Sequence, residues 1–68
     1  MENKIIVEYS ISQKSFFYDT VKNIIARNIN MIIENVNNDY KIIGVVDNID
    51  QALNYINDFK KKLNVRNN

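Results

Sequence analysis

A chain of 68 residues without one Cys or His has to hold itself together by packing alone. Domains this short bury only about 60% of the surface their unfolded chains expose, so their stability is marginal. The usual remedies are disulfides, a structural metal, very regular packing or self-association. The first needs cysteine, which is absent, and the second lacks its usual Cys and His ligands. Regular packing and self-association are left.

The same absences narrow the chemistry. Imidazole and thiolate dominate general-base and nucleophilic catalysis. A lone glycine, Gly44, cannot build a loop that cradles phosphates. The oxygen-rich residues have simpler roles. Asp47 and Asp50 suit a helix start, and Asn37-Asn38-Asp39 suits a turn but lacks the calcium-loop pattern. The expectation is therefore no enzyme, no cofactor and no metal.

Apolar residues make up 46% of the chain and charged residues 25%, which is a globular balance. A net charge of +1 supplies no long-range steering toward nucleic acid or a membrane. Zero Cys fits a reducing compartment, so a cytoplasmic protein is expected. Residues 1–8 carry no basic leader, and no apolar run approaches the ~20 residues of a membrane span. The heavy use of Ile, Asn and Lys is the composition of an AT-rich genome, which a phage or plasmid also fits.

Lys4 to Ile11 reads as a strand, rich in β-branched residues and Tyr. Ser12 then reads as a helix N-cap, with Ile11 and Phe16 as a hydrophobic staple. Phe17, Val21, Ile24 and Ile25 follow at helical spacing, and Asn28 suits a stop. The segment 29–36 supports two readings. It either continues the helix, or it forms a hairpin with the strand Tyr40–Val46 across the Asn37-Asn38-Asp39 turn. Asp47 or Asn48 caps a last helix, striped by Ile49, Ala52, Leu53, Ile56, Phe59 and Leu63. Residues 64–68 read as a frayed tail.

One α+β domain over residues 1–68 is thus expected, in the order β-α-β-β-α. Its antiparallel sheet carries both helices on one face, a truncated ferredoxin-like topology. The alternative is β-α-β-α with one long central helix. The topology alone carries no function.

The strands hold more aliphatics than one buried face can use. If Ile5 and Val7 face the helices, Ile6 and Glu8 face away. Strict alternation sets Ile43 and Val45 opposite Ile42 and Val46, and Ile32 opposite Met31 and Ile33. Ile6, Glu8, Ile32, Ile43 and Val45 are therefore the candidate interface residues. Phe16, Phe17 and Phe59 read as core, and Tyr18 and Tyr55 as exposed. The expected function is a small protein-protein interaction protein that self-associates through its sheet and binds another protein. An inhibitor or accessory factor of phage or plasmid type fits this. The alternative is a nucleic-acid-binding module, with Lys60, Lys61, Lys62 and Arg66 as phosphate contacts. The strand at 40–46 offers no aromatic platform for bases.

Overall fold

The computed structural model describes residues 4–67, and side chains through Asn64. Among these residues it has three strands and two helices: β1 (Ile5–Ser10), β2 (Ser15–Thr20), α1 (Val21–Ile33), β3 (Tyr40–Val46) and α2 (Ile49–Asn67). The protein is α+β with an antiparallel sheet, but the order is β-β-α-β-α. Helix α2 extends through residues 64–67.

The first departure lies at residues 11–20. Ser12 sits in a four-residue turn, not at a helix start. The turn closes with the Lys14 amide donating to the Ser10 carbonyl at 2.8 Å, and Lys14 adopts a left-handed φ of 55°. This is a hairpin connection. The run Ser15-Phe16-Phe17-Tyr18 then follows its β preference rather than its helical spacing. The helix begins after Thr20, whose hydroxyl accepts the Asn23 amide at 3.2 Å.

The second departure settles the segment 29–36. Helix α1 runs through Asn28 and Asn30 to Ile33, so no hairpin forms there. Asn35 takes a left-handed φ of 60°. The Val36 amide donates to the Met31 carbonyl and the Asn35 amide to the Ile32 carbonyl, at 2.8 and 3.1 Å. That pair of bonds is a Schellman stop. At α2, Asn48 is the cap: its side-chain oxygen accepts the Gln51 amide at 2.8 Å.

Strand β1 lies in the middle, in the order β2-β1-β3, and both neighbours run antiparallel to it. Alternate residues of β1 serve the two faces. Ile5 and Val7 meet Ala52 and Ile56 of α2, with Phe16, Tyr18, Ile43, Val46 and Tyr55 around them. Glu8 on the other face meets Arg27 of α1. The helices therefore cover opposite faces, not one. The dimensions agree. The 11 Å thickness is about two strand spacings, and 28 Å accommodates helix, sheet and helix at roughly 10 Å per layer.

Candidate functional site

With one helix per face, neither face is fully covered. Helix α1 packs over β2 and β1, and α2 packs over β1 and β3. A strip above β3 stays open on the α1 side, and a strip above β2 stays open on the α2 side.

The α1 side carries the larger anomaly. Ile24 is only 1% exposed and faces the sheet with Ile6. Arg27 lies over the Phe17 ring of β2 at 5.2 Å, and Asn23 donates to Asp19 of β2 at 2.9 Å. That flank of the helix is turned to β2. At about 100° per residue, Ile25, Ile29 and Ile32 lie roughly 150° round the helix from Arg27. They are turned to the β3 edge, where Ile42 and Val45 stand exposed. Ile33 points directly away from Ile24. Ile32 and Ile33 are 77% and 75% exposed. The apolar arc of α1 thus faces water, because the strip beneath the helix offers the polar Glu8 and Ser10 of β1.

A bulge in β3 decides which of its residues join this surface. Gly44 lies opposite Val7, and Ile42 lies opposite Glu8, so Ile43 is the extra residue. Ile43 turns in with Val46 against the α2 core, and Ile42 joins Val45 on the α1 side. Strict alternation cannot give that assignment.

The candidate interface residues therefore separate. Ile32 and Val45 are exposed on one surface. Ile6 is buried under α1. Glu8 is 1% exposed and accepts from Arg27 Nη2 through both carboxylate oxygens, at 2.6 and 2.8 Å. Ile43 is half-buried in the core. Sequence reasoning missed Ile25, Ile29, Ile33 and Ile42.

The α2 side carries a groove of about 960 Å³ above the β1–β2 hairpin end. Tyr9, Phe16 and Phe59 form its floor, with ring centroids 4.7 to 6.0 Å apart. Lys14, Lys60 and Lys62 line its rim, and no described carboxylate lines it. Lys60 Nζ lies 5.8 Å from the Phe16 ring centroid. Lys61 is exposed outside the lining, and the Arg66 side chain falls outside the described residues. Tyr18 and Tyr55, expected at the surface, are half-buried against the core, and Phe17 is partly exposed beneath Arg27.

Besides Glu8, three carboxylates are engaged. Asp39 accepts from the Ser10 and Ser12 hydroxyls, which hold its carboxyl below the usual range. Asp47 is paired with Lys4, whose hydrogen bond and charge lower it likewise. Asp19 is lowered by the Asn23 amide and the Thr20 backbone. No group of three or more metal-ligating side chains occurs among the described residues. No helix among them is long and apolar enough to cross a membrane. In comparisons with known proteins, the chain matches no family model, no curated protein and no solved structure.

Proposed function

We propose that this is a non-enzymatic protein-protein interaction domain that self-associates through the α1–β3 surface. One observation carries the reading: the apolar arc of α1 stands exposed beside an uncovered strip of β3. Ile25, Ile29, Ile32, Ile33, Val36, Ile42 and Val45 leave on the order of 700 Å² of apolar residue surface in water, where the largest patch of a typical monomer is about 300–600 Å². A standard interface takes about 800 Å² from each partner.

A second copy is the partner that needs least else. The open strip over β3 is about one strand spacing wide, and the exposed arc of α1 stands beside it and widens it. A two-fold arrangement lets each copy lay its α1 arc into the strip left open by the other, with the same residues on both sides. The gain also answers the marginal core of a 68-residue chain. The same surface suits an accessory or inhibitory role toward another protein, with the second copy displaced.

Sedimentation equilibrium tests this. A species of about twice the 8.0 kDa chain mass is expected at ~100 µM protein, and Ile32→Asp should return it to monomer. A wild-type chain that stays monomeric at that concentration overturns self-association.

A further inference from the structure

We propose that the groove between the β1–β2 hairpin and the C-terminal half of α2 binds single-stranded nucleic acid. The groove lies on the opposite face of the sheet from the α1–β3 surface and stands on separate observations.

The first is the floor. Tyr9 and Phe16 are direct cross-strand partners on β1 and β2, and Phe59 of α2 closes on both rings at 6.0 Å. Phe16 stays partly exposed on the β2 side of α2, with Lys60 Nζ 5.8 Å from its ring centroid. Aromatic faces of this kind stack unpaired bases with little regard to sequence.

The second is the rim. Lys14 comes from the hairpin turn, and Lys60 and Lys62 come from α2. Three lysines border the groove with no described carboxylate among the lining residues, although the whole chain carries 8 acidic residues against 9 basic ones. The charge is segregated, and the local complement is an anion. Lysines at a groove edge neutralise phosphates as point charges.

The two features together select the ligand. An acidic peptide or a sulfated polysaccharide would use only the lysines. A duplex keeps its bases stacked and cannot present them to the Tyr9–Phe16–Phe59 floor. A single strand offers a phosphate and a free ring at each step. The aromatic platform that β3 lacks is thus supplied by β1, β2 and α2.

The test is fluorescence anisotropy of the full chain with a labelled oligothymidine of about 12 nucleotides, within the site sizes of small single-strand binders. Binding is expected, and about three phosphate contacts should weaken it roughly twentyfold between 50 and 200 mM salt. Lys60→Glu with Lys62→Glu, both at exposed positions, should weaken it at least tenfold with the fold unchanged by circular dichroism. Phe59→Leu, which keeps an apolar plug but removes a ring, should weaken it several-fold while heparin binding stays constant. Four results overturn the proposal. They are no binding at 50 mM salt, equal affinity for a duplex or heparin, indifference to the lysine reversals, and equal competition by thymidine monophosphate at matched nucleotide concentration.

Discussion

Arg27 reaches from α1 to the central strand and donates through Nη2 to both carboxylate oxygens of Glu8, at 2.6 and 2.8 Å. The two ends are unequal. The Glu8 side chain is 1% exposed and that of Arg27 is 29% exposed. The guanidinium keeps a path to water and stacks on Phe17, while the carboxylate has none. Arg27 Nε is buried without a hydrogen-bond partner among the described residues, so the pair is not fully satisfied. Such a pair fixes where α1 sits more than it stabilises the fold.

The two ends should respond unequally to substitution. Arg27→Met strands a buried carboxylate and should cost about 3–5 kcal/mol. Glu8→Gln leaves a cation that can turn to solvent and should cost less, about 1–3 kcal/mol. The double change Glu8→Leu with Arg27→Met replaces both charges by apolar groups and should be more stable than Arg27→Met alone. Urea denaturation of the four proteins measures this. A double variant at or below the stability of Arg27→Met would show that the pair stabilises beyond its burial cost.

Gly44 is required by a ring. A Cβ placed there would lie 2.6 Å from Tyr55 Cε2 and Cζ. The ring cannot swing away freely, because its hydroxyl donates to the Ile43 carbonyl. Gly44→Ala should therefore destabilise by about 1–3 kcal/mol, the usual cost of overpacking. In Tyr55→Leu the obstructing ring is gone, and adding Gly44→Ala there should cost far less. Thermal or urea melts of the single and double variants check the coupling. An equal cost of Gly44→Ala in both backgrounds would remove Tyr55 as the reason.

The strands at Lys4–Ile11 and Tyr40–Val46 were legible from their β-branched runs, and the last helix from its apolar stripe. Residues 12–20 were not. Phe17, Val21, Ile24 and Ile25 fit a helical stripe, while Phe16-Phe17-Tyr18 also suit a strand, and local spacing cannot weigh pairing with β1. The overlooked signal was Asp19-Thr20 before Val21, a second N-cap option eight residues after Ser12. The α1–β3 surface was half legible for a different reason. The excess of aliphatics is visible in composition, but its location turns on the bulge at Ile43 and on Glu8 being claimed by Arg27. Both are long-range facts. The groove was hidden because Tyr9 and Phe16 become neighbours only when β2 is a strand.

Inward and outward isoleucines of α1 should behave oppositely. Ile24→Ala removes a fully buried side chain and should cost about 2–5 kcal/mol. Ile33→Lys, on the far side of the same helix, should change monomer stability by less than about 0.5 kcal/mol. It should nevertheless weaken self-association with Val45→Lys and Ile32→Asp. Denaturation at low protein concentration separates the two effects from sedimentation at high concentration. If Ile33→Lys unfolds the chain, α1 is rotated from the orientation in which Arg27 meets Glu8. For the same reason Ile6 and Ile43 are poor places to probe association, since both are packed inside.

Acid should loosen the hairpin end through Asp39. Its carboxyl is lowered from 3.8 chiefly by the Ser10 hydroxyl, then by Ser12. A pKa lower in the folded state than in the unfolded state means that the unfolded chain binds the proton more readily. The contribution of Asp39 is therefore present above the unfolded value and is lost as pH falls through the folded one. Asp47, lowered by Lys4, and Asp19, lowered by Asn23 and the Thr20 backbone, act in the same direction. The urea midpoint should hence be level above about pH 5 and decline steadily toward pH 2 to 3. Asp39→Asn keeps a group that the serines can hydrogen-bond but removes the titration, so its midpoint should fall less over the same interval. Ser10→Ala with Ser12→Ala should also flatten the profile, because the hydroxyls are what favour the ionised carboxylate. A steeper acid decline in Asp39→Asn than in the wild-type chain would contradict this assignment and move the acid sensitivity to Asp19 and Asp47.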